Sequence, residues 1–306
     1  LYKIYISQSD VLSGIKMDMK LLEDGLVEVI KRTATTITPA TLEALKRAKE
    51  REEGPARGQI ETMLKAIEIG KTKGIPICQD TGTITFFIEV GSSFPCIKDV
   101  GKIRPVLEKV ARRATKETPL RPNTIDPLTH KNPGNNIGKH IPYIQWELTD
   151  GDELKINLLL KGGGSENMAH LVMMSPGRGL KGVKEVVLDW IAQMAGKPCP
   201  PTIVGVGLGG GANIALNLAK HAILRRTGEH HKEKQIADLE KELTEKANEL
   251  GVGPMGVGGK TTVLDVKIEY AHRHPASFPI GIVPQCWCDR KVSLRVKPDG
   301  SVEVIE

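Results

Sequence analysis

The side chains best equipped for chemistry in this 306-residue chain lie at Cys78-Gln79-Asp80-Thr81-Gly82. A thiol, an amide, a carboxylate and a hydroxyl follow one another there. An apolar run, Ile84-Thr85-Phe86-Phe87-Ile88, comes next and reads as a strand. Thr81-Gly82 supplies a turn before it, so the four groups fall on a short loop at a strand edge, where rigid scaffolds present chemistry. Taken alone, the stretch is equally a buried structural cysteine beside a capping aspartate. Two further cysteines share the setting. Cys199 stands between Pro198 and Pro200 on a stiff loop, and Cys286 follows an apolar strand at 278–284, with Cys288 just beyond Trp287. Three thiolates can hold a cubane [4Fe–4S] cluster and leave one iron without a protein ligand. Such an iron is a Lewis acid that can bind a carboxylate and a hydroxyl and assist loss of water. The same chemistry needs a proton acceptor and cations for carboxylates. Asp80, His274 and Arg121 are of those types, with His272 a rival to His274. Scattered cysteines also arise by chance, so spacing alone leaves inert core thiols as the other reading.

The elements that must position these groups follow from periodicity. Leu21, Leu22, Leu26 and Val27 to Ile30 mark one amphipathic helix, and Thr38-Pro39 caps and opens a second. Ile60, Met63, Leu64 and Ile67 stripe a third. After the strand at 84–90, a basic amphipathic helix covers 101–116 and a loop rich in Pro, Asn and Gly covers 118–140, a length often associated with function. Strands at 141–148 and 154–160 flank Asp150-Gly151-Asp152, which signals a hairpin. Helices are expected at 180–195, 212–226 and 229–250, strands at 202–206, 262–270 and 278–284, and a closing hairpin turns at Asp299-Gly300. The sum is an α/β (mixed α+β) chain with mixed sheets flanked by helices. Cys96 lacks polar neighbours in sequence and reads as structural.

Composition narrows the classes. Hydrophobic residues make up 40% and charged residues 26%, with net charge +6. No apolar run of about 18 residues occurs, so no membrane span is expected, and no signal-peptide pattern opens the chain. Aromatics at 4%, without basic and aromatic interleaving, argue against a single-strand nucleic-acid platform. Five cysteines, an odd number in a long chain, fit reduced thiols in a cytoplasmic protein better than a disulfide framework. The first residue is Leu1, so residues 1–20 are set apart as disordered or as an expression remnant.

Three glycine-rich stretches invite ligand readings. Lys161-Gly162-Gly163-Gly164-Ser165-Glu166-Asn167 follows a strand, and its free N–H groups could form an anion-binding nest. Gly205-Val206-Gly207-Leu208-Gly209-Gly210 matches a dinucleotide fingerprint, but no strand ending in an acid follows about 20 residues on. Residues 251–262 resemble a phosphate loop only superficially, because Pro254 replaces its first glycine.

Together, Cys-Gln-Asp-Thr-Gly at 78–82, Lys-Gly-Gly-Gly-Ser-Glu-Asn at 161–167, Pro-Cys-Pro-Pro with Gly-Val-Gly-Leu-Gly-Gly after it at 198–210, and Pro-Ala-Ser…Cys-x-x-Asp-Arg at 275–290 resemble class I fumarate hydratases and the related L-tartrate dehydratases. The resemblance covers roughly residues 20–306. It implies one family domain over 1–306, with Cys78, Cys199 and Cys286 as ligands of a [4Fe–4S] cluster, although Cys288 competes with Cys286. It implies a substrate pocket lined by Gln79, Asp80, Arg121 and the Gly164 backbone, and catalytic roles for Asp80 and for His274, the latter serving a neighbouring protomer. Single-chain members carry a further C-terminal domain, so the expectation here is an α subunit that needs a separate β subunit, in an α2β2-type assembly. The expected reaction is reversible hydration of fumarate to (S)-malate, with dehydration of L-tartrate to oxaloacetate as the alternative. The distant alternatives are a dinucleotide-binding oxidoreductase and a non-enzymatic metal-binding protein.

Overall fold

The structure, a computed structural model, describes residues 17–305. The segment set apart at 1–20 therefore lies outside the described residues up to 16, while Asp18 already caps the first helix by accepting from Lys20 N and Leu21 N at 2.9 and 3.0 Å. In chain order the elements are α1 (Met19–Thr35), α2 (Pro39–Arg51), α3 (Gly54–Lys73), β1 (Thr83–Gly91), α4 (Ile103–Glu117), β2 (Tyr143–Thr149), β3 (Leu154–Lys161), α5 (Gly163–Glu166), β4 (His170–Met174), α6 (Gly179–Met194), β5 (Thr202–Gly210), α7 (Ala212–Ala222), α8 (Lys234–Glu249), β6 (Val263–Arg273), β7 (Phe278–Gln285), β8 (Lys291–Val296) and β9 (Val302–Ile305). This is the expected α/β class with two mixed sheets and flanking helices. No helix among the described residues is long and apolar enough to cross a membrane. The chain forms two compact units, each assembled from separate stretches of sequence.

The first unit takes the residues up to Ile37, Ile67–Lys161 and those from Arg290 on. Its sheet has the order β2-β1-β3-β8-β9. Phe86 and Ile88 of β1, Ile156 and Leu158 of β3 and Leu294 of β8 pack with Leu22, Leu26 and Ile30 of α1 and with Ile103, Leu107 and Val110 of α4. Each such side chain contributes about 1.5–3 kcal/mol on burial. Phe87 is buried as well, so β1 is covered on both faces, which explains its imperfect alternation. The expected hairpin across Asp150-Gly151-Asp152 does not form. β2 pairs in parallel with β1, and β3 pairs antiparallel with the other edge of β1. The link between them arches over the end of β1, receiving Ser92 N on Thr149 O, Ser93 N on Gly151 O and Gly91 N on Glu153 O, each at 2.8 Å. Gly91 is required there, because a Cβ would stand 2.5 Å from Gly151 O. The closing hairpin of β8 and β9 forms as expected.

The second unit takes Thr38–Ala66 and Gly162–Asp289, with sheet order β4-β7-β5-β6. One face is apolar. Val204, Val206, Val266, Ile268, Ile280 and Ile282 pack with Val183, Val187 and Ile191 of α6 and with Leu239 and Leu243 of α8. On the other face α7 lies directly on glycines. A Cβ at Gly207 would stand 1.9 Å from Ala215 O, and one at Gly205 would stand 2.1 Å from Ala219 O. β4 has no counterpart among the expected elements, because His-Leu-Val-Met-Met neither alternates nor carries strand punctuation. α2 is capped as expected, with Thr41 N donating to Thr38 Oγ1 at 3.3 Å.

Candidate functional site

In the first unit, the Cys78–Gly82 loop is held at Ile77 before it and at Asp80, Thr81 and Gly82. Ile77 N donates to Ala34 O at 3.0 Å, and the Ile77 side chain closes on Gly70 of α3. Gly82 has φ +84° and abuts Leu160, where a Cβ would stand 2.8 Å from its carbonyl carbon. Asp80 Oδ1 accepts from Gly82 N at 2.9 Å, a local turn that fixes the carboxylate. From beneath, Arg290 Nη1 donates to the Asp80 carbonyl at 2.5 Å, and Arg290 is only 1% exposed.

The long 118–140 loop docks on this one, which brings the Arg121 backbone to Thr81. Arg121 N donates to Thr81 Oγ1 at 3.0 Å. Asn123 Nδ2 reaches Thr81 Oγ1 at 3.1 Å, Gly82 O at 3.2 Å and Asp80 Oδ1 at 3.4 Å. Asn136, buried and at φ +57°, accepts from Asn123 N at 2.6 Å and donates to Arg121 O at 3.0 Å. Gln79 and Arg121 remain exposed and Asp80 is half-buried, a carboxamide, a guanidinium and a carboxylate on two docked loops. That set can bind an anion and move a proton. Sequence reasoning missed Asn123, Asn136 and Arg290. The Asn-rich loop was the signal for the first two, since asparagine tolerates the left-handed region and closes turns. Arg290 gave no local signal.

In the second unit, Cys199 and Cys286 lie at the same end of one sheet. Ile203 pairs with Gln285, so the segment entering β5 and the segment leaving β7 are neighbours, and Trp287 N donates to Cys199 O at 3.3 Å. Cys199 adopts φ +56°, a conformation a side chain tolerates only when its surroundings impose it. Gly164 lies against the same turn, 3.8 Å separating the position of its missing Cβ from Lys197 O. Gly162 to Gly164 open the helical turn α5 rather than a nest, and none of them has positive φ. The dinucleotide reading is corrected too: Gly205 and Gly207 lie inside β5, where α7 leaves no room for a phosphate.

His274 is elsewhere. β5 and β6 run parallel from Thr202↔Val263 to Gly210↔Arg273, and β7 runs against them. The turn after Arg273 therefore lies at the opposite end of the sheet from Cys199 and Cys286. β7 has 8 residues, which separates the two ends by roughly 25 Å. His274 is exposed, and its Nδ1 accepts from Ala276 N at 3.1 Å. Arg273 stacks on Phe278 at 4.4 Å and donates to three carbonyls of that turn, which stiffens it.

The thiol inventory suits iron and sulfur. None of the five cysteines is in a disulfide. Cys96 is buried in the first unit's core, and burial, aided by Asp99, pushes its thiol up, so it is structural as expected. Cys78 and Cys199 are half-buried on loops, and Cys286, at 8% exposure, is more open than Cys288 at 1%. Among the described residues no three His, Cys, Asp or Glu side chains gather as they would around one metal ion. A cubane is bound differently: each thiolate takes its own iron, so its ligands do not crowd one point. Soft thiolates favour such a group over a hard cation.

The comparisons agree with the motifs. Residues 23–295, spanning both units, match the family described as fumarate hydratase (Fumerase). A Methanocaldococcus jannaschii protein provisionally named L(+)-tartrate dehydratase subunit alpha is 41% identical over 284 residues, 92% of this chain and 99% of the relative. The L(+)-tartrate dehydratase subunit alpha of Escherichia coli K12 is 36% identical over 244 residues, 79% of this chain and 78% of the relative. A Geobacillus stearothermophilus protein provisionally named fumarate hydratase class I is 33% identical over 292 residues, 92% of this chain but 56% of the relative. With a family match over most of its length and relatives well above 30% identity, the chain belongs to the fumarate hydratase (Fumerase) family.

Proposed function

We propose that this chain is the cluster-bearing α subunit of a hydro-lyase that interconverts fumarate and (S)-malate in the cytoplasm. The observation that carries this reading is the placement of two cysteines outside any disulfide, Cys199 and Cys286, at one end of one sheet in a chain of this family. Cys78, Cys199 and Cys286 would hold a [4Fe–4S] cluster. When bound, it supplies a Lewis acid at the iron that lacks a protein ligand. The chain's own residues do the rest. Arg121 and the Gly164 N–H bind the carboxylates of a small dicarboxylate, and Gln79 orients it. Asp80 moves the proton at the carbon next to the one that carries hydroxyl, aided by a base on the partner. His274 serves another copy of the chain in an α2β2-type assembly, which its distance from the cysteine end of its own sheet supports. A separate β subunit as partner is supported by the relatives, since those named subunit alpha match over most of their length while the Geobacillus relative is much longer.

The second reading, L-tartrate dehydration to oxaloacetate, is favoured by the names of the M. jannaschii and E. coli relatives. Its substrate differs from malate by one hydroxyl, so the same residues serve both. The test starts with anaerobic reconstitution and counting of iron and sulfide in wild type and in the Cys78→Ser, Cys199→Ser, Cys286→Ser and Cys288→Ser variants. About four irons per chain, lost in the first three variants and kept in the fourth, is the expected result. Well-folded protein without iron would remove the Lewis acid from the reading. Assay of the complex with its β partner on malate and on tartrate then separates the two reactions.

A further inference from the structure

Within the second unit, the turn that carries Cys286 is fastened by residues far away in sequence. Asp289 N donates to Cys286 O at 3.1 Å, closing the turn. Asp289 itself is fully buried, at φ +34°, a conformation that must be imposed from outside. Its Oδ2 accepts from Thr41 Oγ1 at 2.6 Å and from Thr227 Oγ1 at 3.3 Å. The two hydroxyls stand 2.7 Å apart, and Thr38 Oγ1 lies 3.0 Å from Thr41 Oγ1. Thr41 is 0% exposed and Thr227 7%. Thr41 belongs to the first turn of α2, and Thr227 to the segment after α7. A carboxylate this deep is stable only when hydrogen-bonded. Donors to a charged acceptor contribute more than neutral pairs and hold tighter geometry.

We propose that Thr41 and Thr227 are positioning residues for Cys286: their hydroxyls clamp Asp289, and Asp289 holds the turn that aims the thiol. The proposal rests on the reading of Cys286 as a cluster ligand, and it concerns a side chain that touches neither substrate nor metal. Thr41 sits beside Thr38, where a helix cap explains it locally. Its hydroxyl is nonetheless turned to a residue 248 positions away. Shape alone does not require a hydroxyl there, so valine, which keeps the shape, separates the two roles.

The first measurement uses the metal-free full chain under anaerobic conditions. Iodoacetamide labelling is followed at each cysteine by mass spectrometry in wild type, Thr41→Val, Thr227→Val and Thr41→Ser. Loss of a hydrogen bond to a charged group favours opening of the turn by about tenfold, so Cys286 is expected to label about tenfold faster in Thr41→Val. Cys96 is expected to label at the wild-type rate, and Thr41→Ser to behave as wild type. After reconstitution, iron loss to a chelator should accelerate in Thr41→Val and recover in Thr41→Ser, with a matching loss of the cluster's visible absorption. Equal Cys286 labelling in wild type and Thr41→Val overturns the proposal. So does acceleration shared with Cys96, which reports general loosening. If Cys286→Ser keeps its iron, the ligand assignment fails while the labelling result still reports on the clamp.

Discussion

Gly207→Ala puts the packing of α7 to a direct test. The added methyl would stand 1.9 Å from Ala215 O, 2.8 Å from Ala219 N and 2.9 Å from Ala215 C. An ordinary carbon–oxygen contact lies above about 3.2 Å, so helix and strand must separate by roughly 1.3 Å. Every one of those atoms is backbone, and no rotamer change can relieve the contact. The opposing strand offers no slack either, because a Cβ at Gly281 of β7 would already stand 2.5 Å from Ala215 C. Overpacking typically costs 1–3 kcal/mol, and a rigid backbone collision belongs at or above the top of that range, about 3 kcal/mol. For a chain of this size that lowers the melting temperature by about 6–12 °C. Gly211→Ala is the control: its nearest neighbour would be Asn213 Oδ1 at 3.4 Å, and its melting temperature should stay within about 2 °C of wild type. Calorimetry on the three proteins reads both values. If Gly207→Ala melts with wild type, the glycines are not there to admit the helix. NAD should shift no melting temperature in any of them, and a shift would restore a nucleotide role for the run at 205–210.

Other expectations concern the site and its support. Asn123→Ala removes three donor contacts to Asp80, Thr81 and Gly82. It should destabilise the chain by about 2–3 kcal/mol and lower kcat of the complex more than it raises KM. An unchanged melting temperature and kcat would show that the two loops hold without it. Asp80→Asn and His274→Ala should each be nearly inactive in the complex, and mixed assemblies of the two should recover part of the activity, because one copy supplies what the other lacks. No recovery would place both groups in one copy. Glu240 is fully buried, and although burial raises its carboxyl, donation from Arg225 and from Ile268 N and His231 N holds it below the ordinary value of 4.5. His230 faces it at 3.5 Å, and Glu269 shares Arg225. A lowered folded value means the unfolded chain binds the extra proton first, so this stabilisation is complete above about pH 4.5 and is lost as pH falls through the folded value. Glu240→Gln should therefore flatten the acid side of the stability profile, and an identical acid limb would exclude it as the source.

What could be read from sequence was local. The Thr38 cap, the α1 stripe and the turn at Asp299-Gly300 depend on neighbours within four residues, and all three form. The Cys78–Gly82 loop was visible because its residues are contiguous and because Asp80 closes a turn on Gly82. The Asp150-Gly151-Asp152 turn misled for a physical reason: a sharp reversal fixes the chain direction but not whether a third strand slides between its arms. Glycine runs misled similarly, since the same residue type opens a helical turn at Gly162 and admits a helix backbone at Gly207. The partners of Thr41, Thr227, Asn136 and Arg290 could not be read at all. Each of these residues acts on a partner fixed only by tertiary contact, and a threonine that caps locally looks no different from one that also holds an aspartate across the chain.

The interleaving of the two units bears on how the protein is made. Synthesis delivers α1 to the first unit, α2 to the second, β1 through β3 to the first, then α5 through β7 to the second, and finally β8 beside β3. Neither unit is a continuous stretch that can close as it leaves the ribosome. The second waits for Asp289, with α2 and its buried Thr41 exposed in the meantime, and the first waits for the residues after Arg290. Nascent chains halted near residue 280 should therefore expose both cores to proteases and chaperones, and release of a folded subunit should come abruptly once β8 has emerged.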